Sequence, residues 1–274
     1  MPLAEVAGRQ LFYTRRGRGE PLLLIMGMAG HHLLWGEPFM ELLAAEHDVI
    51  AYDHRGIGDS GRADELFTIA ELADDAAQLL DALGVDGAHV VGISMGGMVA
   101  QELTLRHPER VRTLVLGCTY AGPGGGSLDS PGVQRMAGTW RGGDREVALR
   151  AGFDANVSAA FAAADGRYDL FRTATLAAKV PLPVVIMQLS AVVAHDAVER
   201  LRTVTTPTLV VHGTVDEMLP HRNGEHIASL IPGATLATME GVGHLFFWEQ
   251  PERSAELVLA HTGSHSRPDA ARAD

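Results

Sequence analysis

The sequence predicts an α/β protein: a mostly parallel central sheet flanked by helices, with an inserted helical cap. Three observations carry this. Short continuous apolar runs recur without period-two alternation, as strands covered on both faces require. Segments with helical spacing separate them, and strand–helix–strand order implies parallel pairing through right-handed crossovers. The runs near Thr113 and Thr208 lie much further apart than one crossover helix needs.

Taken in chain order, Leu3 to Ala7 and Gln10 to Thr14 flank Gly8-Arg9 and read as an antiparallel hairpin. Buried strands are expected at Leu22–Met26, Val49–Tyr52, Val90–Ile93, Leu114–Leu116, Leu209–Val211 and Thr235–Met239. Thr68-Ile69-Ala70-Glu71 is a capping box, in which the threonine hydroxyl and the glutamate each satisfy a first-turn N–H. Leu72, Ala76, Leu79, Leu80 and Leu83 follow at helical spacing, and Gly84 suits the stop. A second helix should run from Met95 to about Arg106 and end before Pro108. Gly122-Pro123-Gly124-Gly125-Gly126 opens the long gap, and Ala-rich helical patterns fill it. The expected division is a core of 1–119 and 201–262, a cap of 120–200, and a disordered polar tail of 263–274.

Composition narrows the function classes. The 274 residues are 46% hydrophobic, which suits an ordinary globular chain. A net charge of −12 with no Lys/Arg block argues against a nucleic-acid partner. The single cysteine, Cys118, cannot close an intramolecular disulfide and reads as a small buried hydrophobe. The N-terminus lacks a basic stretch followed by an apolar run, so no signal peptide is expected. The longest apolar stretch, Val184 to Ala194, is too short to span a bilayer and carries Gln188 and Ser190. Neither a membrane partner nor a basic amphipathic face is expected, and the cytoplasm is the default location.

The chemistry lies in three loops. Gly92-Ile93-Ser94-Met95-Gly96 matches the G-x-S-x-G nucleophile elbow, with a buried strand leading in and a helix leading out. Such a turn lifts the serine hydroxyl above the sheet and brings the Met95 N–H into the same space. A serine hydroxyl needs a base, and the base needs an orienting acid. Asp216 falls just past the strand Thr208–His212, with Glu217 as the neighbouring rival. His244 falls on the glycine-flexed loop Gly241-Val242-Gly243 after the next strand. Both therefore sit at the carboxyl edge of the sheet, where open α/β sheets bind ligands.

With these residues the chain resembles the α/β-hydrolase superfamily, in particular its small serine esterases, enol-lactonases, methylesterases and cofactor-free haloperoxidases. The likeness rests on Met26-Gly27-Met28-Ala29-Gly30, Asp53-His54-Arg55-Gly56-Ile57-Gly58-Asp59-Ser60, Gly92-Ile93-Ser94-Met95-Gly96-Gly97, Gly213-Thr214-Val215-Asp216 and Gly243-His244. The resemblance implies a catalytic triad of Ser94, Asp216 and His244. It also implies an oxyanion hole from the backbone N–H groups of Met28 and Met95, the two residues expected to touch substrate. Many relatives carry His-Gly where this chain has Met26-Gly27. The implied activity is hydrolysis of a carboxylic ester, small or apolar, a methyl ester or a lactone, with no cofactor or metal. Carbon–carbon bond hydrolysis or perhydrolysis would use the same triad, and a ligand receptor on this scaffold is the non-enzyme alternative.

Other motifs carry less. Gly56-Ile57-Gly58-Asp59-Ser60-Gly61 fits G-x-G-x-x-G but does not open into a helix, so it reads as a structural loop. His31-His32, His221 and His226 lack metal-ligand spacing. Besides Met28 and Met95, apolar residues offered as pocket lining are Trp140, Phe153, Met187, Leu219 and Leu245.

Overall fold

The computed structural model describes residues 2–140 and 143–265. Leu3–Val6 (β1) and Arg9–Gly17 (β2) form the expected hairpin. Its turn is Ala7-Gly8, both at positive φ (46° and 75°), the two-residue geometry whose twist matches that of the paired strands. Next come Glu20–Ile25 (β3), a 3-10 turn at His32–Trp35, Glu37–Ala44 (α1), His47–Tyr52 (β4) and Ile69–Ala82 (α2). Ala88–Ile93 (β5), Met95–Arg106 (α3) and Val111–Gly117 (β6) follow. The long insertion then holds Pro131–Trp140 (α4), Arg145–Asn156 (α5), Ala159–Ala162 (α6), Arg167–Leu176 (α7), Leu182–Val193 (α8) and Val198–Leu201 (α9). The chain closes with Thr208–Gly213 (β7), Arg222–Leu230 (α10), Thr235–Met239 (β8), Phe246–Glu249 (α11) and Pro251–Gly263 (α12).

These strands make one eight-stranded sheet in the order β1-β2-β4-β3-β5-β6-β7-β8. β2 runs antiparallel to β1 and β4, and every other pairing is parallel. The sheet is apolar on both faces because each carries helices. Leu23 and Ile25 of β3 face the layer of α2 and α3, where Leu72, Leu79, Met98 and Leu103 are buried. Leu22 and Leu24 face the layer of α1, α11 and α12, where Phe39, Phe247 and Val258 are buried. The capping box at α2 forms as written, with Thr68 Oγ1 accepting from the Glu71 N–H at 3.1 Å and Glu71 accepting from the Thr68 N–H at 2.8 Å.

Within the insertion, α9 belongs to the core layer, since Val198 and Leu201 are buried with α3 and α10. Helices α4 to α8 cover the carboxyl ends of the strands. They have a small core of their own in Phe153, Val157 and Phe171. Gly263 is still helical, and residues 266–274, most of the expected tail, lie outside the described residues. Among the described residues no helix is long and apolar enough to cross a membrane.

Candidate active site

β5 delivers Ser94 to the first turn of α3 with φ 55° and ψ −124°. Non-glycine residues avoid that region, and holding one there costs about 1–3 kcal/mol. The surroundings leave no alternative. The Ser94 N–H donates to the Gly117 carbonyl at 2.9 Å, and its own carbonyl accepts from the Gly97 N–H at 2.9 Å and the Thr119 hydroxyl at 2.6 Å. The flanking glycines are required by close backbone approach. A Cβ on Gly92 would lie 2.3 Å from the Gly96 carbonyl oxygen, and one on Gly96 would lie 2.0 Å from that of Ile25.

The loop after β3 lies directly against this elbow: a Cβ on Gly27 would stand 3.1 Å from the Ser94 Cβ. Its shape is held at several points. Gly30 N–H donates to the Gly27 carbonyl at 3.2 Å, and Ala29 adopts φ 59°. Behind the loop, His54 Nε2 donates to the Met26 carbonyl at 2.9 Å, and burial lowers the His54 pKa, keeping the ring neutral. From the cap, the fully buried Gln188 of α8 accepts the Ala29 N–H on its Oε1 at 2.9 Å. The N–H groups of Met28 and Met95 donate to no other described residue. Two backbone donors beside a serine, one of them at a helix N-terminus, form the arrangement that stabilises a developing oxyanion.

The loops after β7 and β8 bring Asp216 and His244 together. His244 Nδ1 lies 2.8 Å from Asp216 Oδ2, both side chains buried. The other carboxylate oxygen accepts the N–H groups of Met218 (2.8 Å) and Leu219 (2.9 Å). Burial alone would push this carboxyl up. The charge of His244 and hydrogen bonds from His212 and His244 outweigh it and hold Asp216 well below the usual carboxylate range. Glu217 points elsewhere: its carboxylate, about half exposed, pairs with Arg135 of α4. The hydrogen bonds therefore single out Asp216 as the partner of His244.

Two further residues lie against Asp216. His212, fully buried on β7, places Nε2 2.9 Å from the Leu219 carbonyl and 3.3 Å from Asp216 Oδ2. Cys118 is buried beside Asp216, and burial with that carboxylate raises its thiol pKa well above the ordinary value, so it stays protonated. Cys118, His212 and Asp216 bring their donor atoms within 4.8 Å of one another. The Asp216 oxygens are already taken by two N–H groups and two imidazoles, so the cluster is a hydrogen-bonded support for the carboxylate.

Ser94 and His244 both line a cavity of about 340 Å³ under the cap, with Met28, Arg145, Thr175 and Leu245 among its walls. Ser94 also opens on a second cavity of about 230 Å³, walled by Met28, Met95, Met98, Leu128, Val192 and Leu219. Met28 thus lines both and Met95 the second. Of the other residues offered as pocket lining, Leu245 and Leu219 border one cavity each. Phe153 does not: it is fully buried in the cap's own core, its ring 5.2 Å from that of Phe171. Met187 packs against the main core. The side chain of Trp140 lies outside the described residues.

Gly56–Gly61 is a structural loop, as its context implied. A Cβ on Gly58 would lie 1.9 Å from Asp53 Oδ2, and Ser60 Oγ donates to the Asp53 carbonyl at 2.7 Å. Arg55 from the same loop forms a buried bidentate pair with Asp75 at 2.6 and 2.7 Å. The loop is also a seat for the cap, because the Gly58 N–H donates to the Lys179 carbonyl at 2.8 Å. The four histidines set aside as metal ligands have structural neighbours. His32 binds Asp53 at 2.9 Å, His31 approaches the Thr175 carbonyl at 3.5 Å, His221 meets Thr238 at 3.2 Å, and His226 packs on Gly125.

Gln188, His212, Arg145 and Thr175 were not singled out as site residues from the sequence. Gln188 alone left a signal there, a polar break in the apolar stretch Val184–Ala194.

A strand-to-helix elbow serine, a later aspartate bonded to a histidine, and an eight-stranded mostly parallel sheet define a hydrolase of the α/β type. The chain belongs to the alpha/beta hydrolase fold family, whose profile matches residues 20–251. It is 33% identical to the candidate carbamate hydrolase RutD of Azorhizobium caulinodans, over 96% of this chain and 98% of that one. It is 30% identical to the rhodomycin D methylesterase DnrP of Streptomyces peucetius, again over 96% and 98%. Among solved structures, a hydrolase from Pseudomonas aeruginosa PA01 superposes with a TM-score of 0.82 at 31% identity, covering 96% of this chain and 98% of that one.

Proposed function

We propose that this enzyme hydrolyses carboxylic esters through an acyl-enzyme on Ser94. The observation that carries the reading is the 2.8 Å bond from His244 Nδ1 to the buried Asp216, with His244 and the elbow serine lining one cavity. Asp216, ionised at any working pH, fixes the imidazole with its Nδ1 proton toward the carboxylate, leaving Nε2 as the base. His244 takes the Ser94 proton as the oxygen attacks the ester carbonyl carbon. The N–H groups of Met28 and Met95 hold the resulting oxyanion, each such donor being worth about 3–4 kcal/mol in the transition state. The carbon–alkoxy bond then breaks, and His244 returns the proton to the departing alcohol. Water, deprotonated by the same imidazole, attacks the acyl-enzyme and releases the acid.

The relatives include a candidate carbamate hydrolase and a methylesterase. A carbamate would carry a nitrogen substituent on the acyl side of the bond it breaks. The cavity lined by Met98, Leu128 and Val192 holds almost no polar surface, so a buried N–H there would lack a partner, which costs about 1–3 kcal/mol. A hydrocarbon substituent is therefore favoured in that cavity whichever part of the substrate enters it, which supports the ester.

Steady-state hydrolysis of p-nitrophenyl acetate and butyrate tests the reading. Wild-type enzyme should turn both over, and Ser94→Ala should abolish turnover. Retained activity in that variant, or a folded wild type inert toward every ester, carbamate and lactone tried, would remove the proposal.

A further inference from the structure

The two cavities meet at Ser94 and share Met28, Met136 and Met218. They differ in what else they hold. His244 lines the larger cavity and is absent from the walls of the smaller. The proton-transfer step gives that asymmetry a meaning. The imidazole that deprotonates Ser94 must also protonate the leaving oxygen, which requires heavy-atom separations of about 2.6–3.2 Å. The alcohol portion of the ester therefore departs on the side of His244. With the carbonyl oxygen at the Met28 and Met95 N–H groups, the remaining substituent on the carbonyl carbon, the acyl chain, must leave Ser94 toward the other side.

From this we infer that the smaller cavity, floored by Met95 and Met98 and roofed by α8, is the acyl site, and that the larger cavity is the alcohol site. The inference rests on the serine-ester reading above and names its substrate class. The acyl site is apolar on every side, from Leu128 and Val133 to Leu189 and Val193. At about 30 Å³ for each water-sized group, its 230 Å³ hold an unbranched chain of about six to eight carbons. The methionines suit such a chain, since an unbranched thioether adapts to varied apolar shapes. The alcohol site is different in kind. Its walls include the polar residues Arg145, Asn156 and Thr175 beside His244. The favoured substrate is thus a medium-chain fatty acyl ester.

The mouth of the acyl site is continuous with an exposed stripe on α8. Ile186, Leu189 and Val193 are 51%, 38% and 66% exposed, and the last two also wall the cavity. Bulk can therefore be added there without opening the core.

The test uses p-nitrophenyl alkylphosphonates with methyl, heptyl and dodecyl chains, which phosphonylate the nucleophile in place of acylating it, so the reading does not depend on turnover. The rate of Ser94 labelling, followed by p-nitrophenol release and located by peptide mass, should rise at least 10-fold from methyl to heptyl. Leu189→Trp should remove most of that rise, and Val193→Trp serves if the first variant does not fold. Leu149→Trp, which crowds the other cavity, should preserve the rise and instead lower the ratio of kcat/KM for benzyl over methyl butyrate. A labelling rate independent of chain length, or a rise abolished by Leu149→Trp rather than by Leu189→Trp, overturns the assignment while leaving Ser94 as nucleophile. Absence of labelling at Ser94 in the wild type overturns the serine reading and this inference with it.

Discussion

The floor of the active site and its roof are built by different physics. The floor consists of strand ends fixed by backbone hydrogen bonds and close glycine contacts, and it holds Ser94 in a conformation that a free chain would leave. The roof, α4 to α8, has a small aromatic core of its own and is joined to the floor by apolar side chains of α8, Ala191 and Val192 among them, and by polar tethers such as Gln188 to Ala29, Lys179 to Gly58, and Asn156 to the Leu245 N–H at 2.8 Å. Errors in the floor should therefore cost the reaction itself or the fold. Errors in the roof should shift specificity or the alignment of one loop.

The largest expected effects lie in the floor. Asp216→Asn should lower kcat about 10⁴-fold, because the amide favours the wrong tautomer of His244. Glu217→Gln should leave kcat near wild type, since Glu217 meets Arg135 on the surface. Similar losses in the two variants would mean that the acid is shared. Gly96→Ala should prevent folding rather than slow catalysis, because the added methyl would enter the Ile25 backbone. A soluble, cooperatively melting Gly96→Ala protein would show that the elbow tolerates more than its geometry allows.

A smaller effect tests the link between the regions. Gln188→Leu removes a roof side chain that holds the Met26–Gly30 loop. Misplacing a donor by a fraction of an ångström should cost about 10-fold to 100-fold in kcat with KM little changed. Because Gln188 Nε2 is itself buried without a partner, the melting temperature should fall only slightly. A rise in KM with unchanged kcat would place Gln188 in substrate binding instead.

The smallest effect is on stability. Burial pulls His195, at the end of α8, down to about 4, although the neighbouring Glu102 opposes this. Burial likewise lowers His31, His54, His89 and His261. An unfolded histidine titrates at about 6.5, so between that value and the folded one the unfolded chain binds more protons and stability rises with pH. The melting temperature should fall as pH is lowered from 7 to 4.5. Asp216 works in a different window: its depressed pKa stabilises the fold above about pH 4 and is lost only in stronger acid. A melting temperature that climbs on acidification would contradict the neutral, buried histidines.

How much of this was legible in the sequence follows from the same division. The elbow, Asp216 and His244 each lie within a few residues of the strand that positions them, so local pattern and chain order reach the two loops, while the family resemblance is what points to Asp216 over its neighbour Glu217. The roof was legible only as an insertion. Phe153 lies among apolar helical residues, a pattern that fits pocket lining as well as core, yet the ring finds its partners in Phe161, Tyr168 and Phe171 on other helices. Gln188 was visible as an interruption of an apolar run, but its partner lies 159 residues away. No local rule connects such pairs. His212 was read only as the last residue of a buried strand, because its contact with Asp216 depends on a loop that turns back over the strand end.

The central claim is that Ser94 carries the acyl group between the two half-reactions. Enzyme quenched in acid during turnover of p-nitrophenyl butyrate, digested and analysed by mass spectrometry, tests it most directly. The account predicts a butyryl group on the peptide containing Ser94, absent from Ser94→Ala. Sustained turnover with no acyl group on that peptide, or with the group on another residue, would contradict it.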